Sequence, residues 1–262
     1  GTINNICDFT YAIDNHGEVV VNGGEMISVH STVSTYGTMT INGGSFTCNG
    51  LDGITAHALI AWGGSETTIN GGTFDGKDNY NGFNVNSAEG AVVNIYGGNF
   101  LNAHSGSLYG NGTINVMGGF YFDDPTARVV TGYHTIKIND TLYTVMKGSV
   151  ENGVYGYIIE DIIDLTEFSK IVDMGATFEG TVVKVINDIN VDLGTDANGE
   201  RISFNPIGQR DKTLSEGEYK AFKGTFDGND KTISGYYQNG WDFGYEWGQY
   251  GAIGLFSRIE NA

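Results

Sequence analysis

The chain has 262 residues and a formal net charge of −18 at pH 7, which disfavours nucleic-acid binding because that requires clustered Lys and Arg. Its 41 glycines and 2 prolines indicate a folded chain with many tight corners, and the absence of a G-x-y period excludes collagen. Two cysteines without a C-x-x-C spacing support neither a disulfide scaffold nor a zinc site, and the lack of a run of about 18 apolar residues predicts no membrane span.

A Gly-Gly doublet closes a short β-rich run five times in the first half of the chain. The second glycines are Gly24, Gly44, Gly72, Gly98 and Gly119, so the steps are 20, 28, 26 and 21 residues. Val, Ile and Thr suit a pleated strand, glycine permits a sharp bend, and an aromatic residue follows four of the doublets. One copy is therefore predicted as strand, corner, strand, and the period predicts an all-β chain folded as a parallel β-helix whose coils stack on one another.

The unequal steps predict insertions on one side of the solenoid. Residues 51–66 and 75–89 are the two longest and are expected to be loops. The alternative fold is an antiparallel sandwich, because Asn-Gly is a strong hairpin signal and precedes three of the corners. Recurrence of the same sequence motif, V-x-I-N-G-G-x-F, favours the β-helix.

The pattern changes after Lys147. Residues 1–147 are predicted as a block of N-G-G repeats, the polar, glycine-bearing residues 148–158 as a hinge, and residues 159–262 as a second β-helix block. The chain stops in the middle of a repeat, so we expect it to be part of a longer polypeptide.

The second block is predicted to begin with the chain's one helix, near residues 164–174. Asp164 and Glu167 fit a capping box at its start, and Gly175 is placed to end it. Its apolar positions fall on one face, at Leu165, Phe168, Ile171 and Val172. Because the end of a β-helix exposes open strand edges, this helix is expected to cap the block.

Two stretches resemble known repeat families. Residues 159–262 contain, in order, V-x-x-x-N-D-I-x-V, P-I-G, F-K-G-T-F-D-G-N-x-K-T-I-S-G and G-L-F, which resembles the GLUG-type repeats of bacterial surface proteins. Ser257 stands where that family usually has glycine, and residues 238–251 form an insertion. The word D-P-x-x-x-V-x-x-G-Y at 124–133 resembles the closing unit of N-G-G-T-F repeat proteins from gut Firmicutes and their phages. The resemblance implies a secreted or cell-surface, right-handed, pectin-lyase-like β-helix, and no single chemistry.

The catalytic motifs of β-helix enzymes are absent from the sequence. Enzymes on this fold usually act on acidic polysaccharides, with either a Ca²⁺ site and an arginine base or clustered aspartates with G-H-G and R-I-K. Here Asn15 precedes His16, Glu260 follows Arg258-Ile259, and the five histidines lack metal-binding spacing. No catalytic residue is predicted.

Two pairs of aspartates could bind Ca²⁺, the one cofactor that the sequence suggests. Asp75 with Asp78, and Asp227 with Asp230, lie three residues apart around a glycine after Thr-Phe. Side-chain and carbonyl oxygens in this arrangement could share one cation. The alternative is an Asx turn, in which the carboxylate binds its own backbone.

An aromatic-rich insertion near the C-terminal end is the candidate glycan-binding patch. Its residues are Tyr237, Trp241, Tyr245, Glu246, Trp247 and Tyr250. Flat aromatic faces beside a carboxylate suit a sugar ring. The alternative is a loop folded on its own aromatic cluster.

These features predict a non-enzymatic, extracellular or cell-surface, adhesin-like segment of bacterial or phage origin. Its partner would be a glycan or a host or cell-surface protein, or the segment would serve as a stalk. The alternative is a polysaccharide lyase or glycoside hydrolase, such as a phage tail-spike depolymerase. A catalytic site assembled from neighbouring coils would escape a search for local motifs.

Overall fold

The computed structural model describes residues 1–7, 10–50, 53–77, 81–151, 154–208, 220–237, 254–257 and 259. The chain divides into two compact units, Gly1–Met146 and Lys147–Ala262.

The first unit winds through five coils, and each coil gives one strand to each of three parallel sheets. Sheet A contains β1 (Thr2–Asn5), β4 (Glu25–Ser28), β7 (Ser45–Cys48), β10 (Thr73–Lys77), β13 (Asn99–Ala103) and then β16 (Phe120–Tyr121). Sheet B contains β2 (Ile13–Asn15), β5 (Val33–Thr35), β8 (Leu59–Ala61), β11 (Phe83–Ser87) and β14 (Gly106–Tyr109). Sheet C contains β3 (Glu18–Val21), β6 (Thr38–Ile41), β9 (Glu66–Ile69), β12 (Val92–Ile95) and β15 (Thr113–Val116).

The strand register confirms the predicted parallel β-helix. In sheet C, Glu18 pairs with Thr38, Thr38 with Glu66, Glu66 with Val92, and Val92 with Thr113. These offsets equal the steps of 20, 28, 26 and 21 residues between the glycine doublets. The sandwich alternative is wrong, because the strands on the two sides of each Asn-Gly corner belong to different sheets. The second glycine of every doublet has a φ between 98° and 116°, which explains the need for glycine there.

The prediction of two strands per coil missed sheet B. Strands β8 and β11 lie within residues 51–66 and 75–89, which were expected to be loops. Sheet B strands are short, and two of them read IDN and VST, with polar residues at buried as well as exposed positions. Such a strand lacks the alternation of apolar and polar residues that marks a half-buried strand in a sequence.

A ladder of aromatic rings fills the interior of the first unit. Phe46, Phe74, Phe100 and Tyr121 are fully buried, one per coil. Their ring centroids are 4.9, 5.0 and 4.8 Å apart, with interplanar angles of 9°, 8° and 4°. This spacing is set by the distance between hydrogen-bonded strands. The Tyr121 hydroxyl donates to the Gly118 carbonyl at 2.7 Å, so the buried polar group of the last ring has a hydrogen-bond partner.

Parallel winding of the first unit ends after β16. A short 3₁₀ helix, Thr126–Arg128, is followed by β17 (Tyr133–Asn139) and β18 (Leu142–Glu151). Strand β18 pairs with both β17 and β16. Its pairing with β16 is antiparallel, and Thr144 lies opposite Phe120. The D-P-x-x-x-V-x-x-G-Y motif lies where the parallel winding ends, and its Val129 forms one further parallel bridge, with Val116.

The second unit also stacks strands in parallel, with offsets of 26 residues from Gly156 to Val182 and 43 residues from Val182 to Thr225. Its elements are β19 (Val154–Ile159), α1 (Ile162–Asp173), β20 (Val182–Val185), β21 (Ile189–Asn190), β22 (Thr225–Asp227) and β23 (Ile233–Ser234). Strands β19, β20 and β22 pair in parallel, and so do β21 and β23. Residues 148–158, predicted as a hinge, contribute to β18 and β19, which pair antiparallel. The Val, Ile and Tyr residues of this segment favour strands.

Helix α1 begins earlier than predicted. Its N-cap is Asp161, whose Oδ1 accepts hydrogen bonds from the backbone N–H groups of Ile163 and Asp164. The side chain of Asp164 instead accepts from the backbone N–H of Glu160 at 2.8 Å. The predicted capping box of Asp164 with Glu167 is therefore wrong, because Asp161 satisfies the free N–H groups of the first turn.

The predicted helix end and buried face are confirmed. Gly175 has a φ of 117°, its N–H donates to Val172, and the next N–H donates to Ile171, which is a Schellman motif. Leu165, Phe168, Ile171 and Val172 are buried. Nothing among the described helices has the length and apolarity of a membrane span.

Replacing the middle ring of the interior ladder tests the packing of the first unit. We expect Phe74→Ala to lower its free energy of unfolding by about 3–5 kcal/mol, because a fully buried ring leaves a cavity between two others. Urea unfolding followed by tryptophan fluorescence, Trp62 lying in this unit, measures the change. The matched control is Tyr96→Ala on the surface, expected to change the stability by no more than about 0.5 kcal/mol. Equal effects of the two variants would contradict the ladder.

Candidate functional site

The outer face of sheet B carries the candidate site. Val33 and Leu59 point into the core, so the alternating residues Ser34 and Ile60 point outward. These two are nevertheless buried, with exposed fractions of 0% and 8%. Outward residues of a sheet are buried only where other side chains cover them, and aromatic residues at the ends of the strands supply that cover here.

Three aromatic rings form an aromatic strip, defined as His16, Tyr36 and Trp62. Each is the first residue after the sheet B strand of its own coil. The centroids of His16 and Tyr36 are 4.7 Å apart at 8°, and those of Tyr36 and Trp62 are 5.7 Å apart at 11°. Tyr36 is 44% exposed, His16 is exposed and Trp62 is half-buried. The strip therefore crosses three coils as one stack, in which the ring faces cover one another and the ring edges are open to solvent.

Hydrogen-bonding groups lie directly beside the strip. The indole N–H of Trp62 donates to Ser34 Oγ at 3.2 Å, and the Tyr11 hydroxyl also hydrogen-bonds the Ser34 side chain. Burial raises the pKa of the Tyr11 hydroxyl, and the neighbouring Tyr36 and Asp14 raise that pKa further. Tyr11 therefore stays protonated at neutral pH and keeps a donor at the edge of the strip.

The strip ends where an alanine takes the aligned position. Ser87 pairs with Ala61, so Ala88 of the fourth coil aligns with Trp62, and its N–H donates to the Ala61 carbonyl at 2.8 Å. A methyl group cannot cover an indole, so the face of Trp62 that points toward this coil has no aligned ring over it. A half-buried indole that ends such a stack beside a hydroxyl group is suited to bind a sugar ring or another flat apolar surface.

Glycine follows each ring of the strip, and the close approach of the coils explains it at Gly37 and Gly63. A Cβ on Gly37 would lie 2.0 Å from the carbonyl oxygen of Gly17 in the preceding coil. The signal in the sequence is thus an aromatic residue followed by glycine, once per coil. Aligning the repeats would have shown it, whereas a search for local motifs treated each pair separately.

Two of the four predicted Ca²⁺ ligands, Asp75 and Asp227, lie in turns. Asp75 Oδ1 accepts from the backbone N–H of Lys77 at 2.9 Å, and Asp227 Oδ1 accepts from that of Asn229 at 2.8 Å. Both are Asx turns, the alternative that the sequence allowed. Asp230 is exposed, and Asp78 lies outside the described residues. The described part of the chain contains no group of three or more His, Cys, Asp or Glu that could hold a metal, and Ca²⁺ binding remains a prediction.

Of the predicted glycan-binding patch, the structure describes one residue, Tyr237. The guanidinium of Arg201 lies 4.4 Å from the ring centroid of Tyr237, and the Tyr237 carbonyl accepts from the Phe204 N–H at 2.9 Å. The described contacts of Tyr237 are thus made within its own unit. Its other members, Trp241, Tyr245, Glu246, Trp247 and Tyr250, lie outside the described residues.

A buried histidine lies at the start of β8. His57 Nδ1 accepts from the backbone N–H of Phe83 at 3.1 Å, and its Nε2 lies 3.0 Å from the Asn86 side-chain amide. Burial, with a smaller contribution from His30, lowers the pKa of His57 to about 4. The ring is therefore neutral at physiological pH and serves to align β8 with β11.

Comparison with known proteins finds no match to this chain among family models, curated proteins or solved structures. The class of protein is therefore defined by the fold alone, as a parallel β-helix.

Mild acid should destabilise the first unit through His57. Its pKa falls from 6.5 in the unfolded chain to about 4 in the folded one. The neutral ring therefore contributes fully to the free energy of unfolding above pH 6.5, and this contribution is lost as the pH falls toward 4. The full loss is about 3 kcal/mol of unfolding free energy. Urea unfolding at several pH values, compared with His57→Gln, measures the change. A variant with the same pH dependence as the original protein, or NMR titration of His57 near 6.5, would contradict the assignment.

Proposed function

We propose that this chain is a non-enzymatic, extracellular β-helix segment that binds glycans through the aromatic strip. The observation that carries the proposal is the exposed stack of His16, Tyr36 and Trp62 beside Asp14 and Ser34. Tyr and Trp combine a large apolar area with a polar edge. Sugar rings present the complementary combination of apolar C–H faces and hydroxyl groups.

The repeating geometry supports a polymeric ligand. The first three coils each add one ring to the strip, with centroid distances of 4.7 and 5.7 Å, so a chain with repeating units can meet the edge of a ring at successive coils. Several weak contacts joined in one ligand give more affinity than each contact alone. A glycan polymer fits this arrangement better than a single small molecule does.

The sequence resemblances support the location. The GLUG-like order in residues 159–262 and the closing word at 124–133 are typical of secreted or surface-anchored bacterial and phage proteins. The protein would act as an adhesin-like segment, with a glycan or a glycan-bearing surface protein as partner. Aromatic residues of the C-terminal insertion, from Tyr237 to Tyr250, would supply a second glycan contact.

A polysaccharide lyase or glycoside hydrolase is the second candidate. One observation favours it: Asp75 and Lys77 line an open surface depression together with Asn102, Ala103 and Phe122. Hydrolysis of glycosides ordinarily requires two carboxyl groups, and Asp75 is the only carboxylate among the lining residues that the structure describes. Binding without cleavage is therefore the better-supported function.

Truncating the strip should remove glycan retention. We expect Trp62→Ala and Tyr36→Ala each to weaken binding about tenfold, because each removes one aromatic contact. The measurement is retention on a panel of acidic, neutral and basic polysaccharides, with and without Ca²⁺, and the matched control is Tyr96→Ala, another exposed aromatic.

The same incubations should be analysed for new chain ends. Retention without new ends, lost in the strip variants and kept in Tyr96→Ala, is the expected result. New chain ends would make the protein an enzyme. Retention that survives both strip variants would place the binding site elsewhere.

A further inference from the structure

The aromatic strip lies in an acidic part of the chain that has no cationic side chain. Residues 1–76 contain seven Asp and Glu and no Lys or Arg, and they include the first three coils of the β-helix. The first cationic side chain in the sequence is Lys77. The electrostatic potential around the strip is therefore negative, and it favours cations and repels anions.

Carboxylates flank the strip on both sides. Asp14 lies on the outer face of β2, and its Oδ2 is 3.3 Å from Nε2 of His16. On the other side, Glu18 and Glu66 begin β3 and β9, directly after the turns that follow His16 and Trp62. All three carboxylates are exposed, and Glu18 and Glu66 share one column through their common partner Thr38.

The indole of Trp62, which ends the stack, adds a second feature that suits a cation. An ammonium group over an indole is attracted by the negative face of the ring. The fourth coil places Ala88 opposite that face and the exposed Glu89 next in the chain. An ammonium group there would meet an aromatic face and carboxylates of two coils.

We infer that the strip selects a cationic glycan, a polymer of amino sugars whose amines are free. This inference rests on the proposed glycan-binding function. The ring edges contact the sugars, Tyr11 and Ser34 serve the hydroxyl groups, and the flanking carboxylates pair with the ammonium groups. Acidic polysaccharides, the usual substrates of β-helix enzymes, are repelled at the same surface.

The test compares three oligosaccharides of equal length at neutral pH and low salt. The probes are oligomers of β-1,4-linked glucosamine, of N-acetylglucosamine and of galacturonic acid, with binding measured by calorimetry. We expect glucosamine oligomers to bind tightest, N-acetylglucosamine oligomers more weakly and galacturonic acid oligomers not at all. Oligolysine of matched charge should compete poorly, because it lacks the rings that stack on the strip.

Two triple variants separate the site from the net charge. Asp14→Asn with Glu18→Gln and Glu66→Gln should weaken glucosamine binding about tenfold and leave N-acetylglucosamine binding unchanged. The matched control neutralises three exposed carboxylates elsewhere, Asp140→Asn, Glu179→Gln and Glu200→Gln. It changes the net charge equally and should alter binding by less than about twofold. Circular dichroism checks that both variants fold.

The outcomes distinguish this inference from the proposed function. Equal binding of glucosamine and N-acetylglucosamine oligomers, both lost in Trp62→Ala, would overturn the charge preference and leave the glycan site standing. Equal loss in the two triple variants, or equal competition by oligolysine, would also overturn it, since either result indicates nonspecific attraction. Binding of no oligosaccharide would overturn both.

Discussion

In-register parallel pairing is the constraint on which the rest of this structure depends. Because each strand pairs with its counterpart one coil later, equivalent residues lie directly above one another. Phenylalanine rings stack inside, and outside Asn42 donates its side-chain amide to Asn22, as Asn70 does to Asn42, at 2.8 Å in both cases. A residue that stacks well on itself is therefore favoured at the same position of every coil, which accounts for the repeated N-G-G word.

The same constraint assembles the candidate site. Residues 16, 36 and 62 are separated by 20 and 26 positions in the sequence, yet their rings are in contact. The longer step between Tyr36 and Trp62 does not break the strip, since the additional residues lie between sheet A and sheet B of that coil. Loop length and stacking geometry are thus independent in this fold, and a surface can extend over coils of unequal length.

The sequence predicts a strand of this structure only where apolar and polar residues alternate clearly along it. The strands next to a glycine doublet alternate β-branched and polar residues, so sheets A and C and every repeat step were predictable. Sheet B was not, because its buried positions include Asn15 and Thr35, whose side chains satisfy each other at 2.9 Å. The site on its outer face was missed with it. The helix start was misplaced for a related reason: Asp161 and Asp164 are both acceptable caps, and Ile163, which is 70% exposed, obscures the apolar period.

The hydrophobic core and the candidate site occupy opposite faces of the same strands. Val33 and Leu59 contribute to the core, while Ser34 and Ile60, one residue further, form the floor beneath the aromatic rings. The rings therefore have a structural role as well, because they exclude water from this floor. A surface that already buries its own floor is preorganised, and a ligand that binds to it need not order the side chains first. Under the proposed glycan-binding function, the number of aligned rings would set the length of polymer that is recognised, and in this chain the strip stops at Ala88 after three coils.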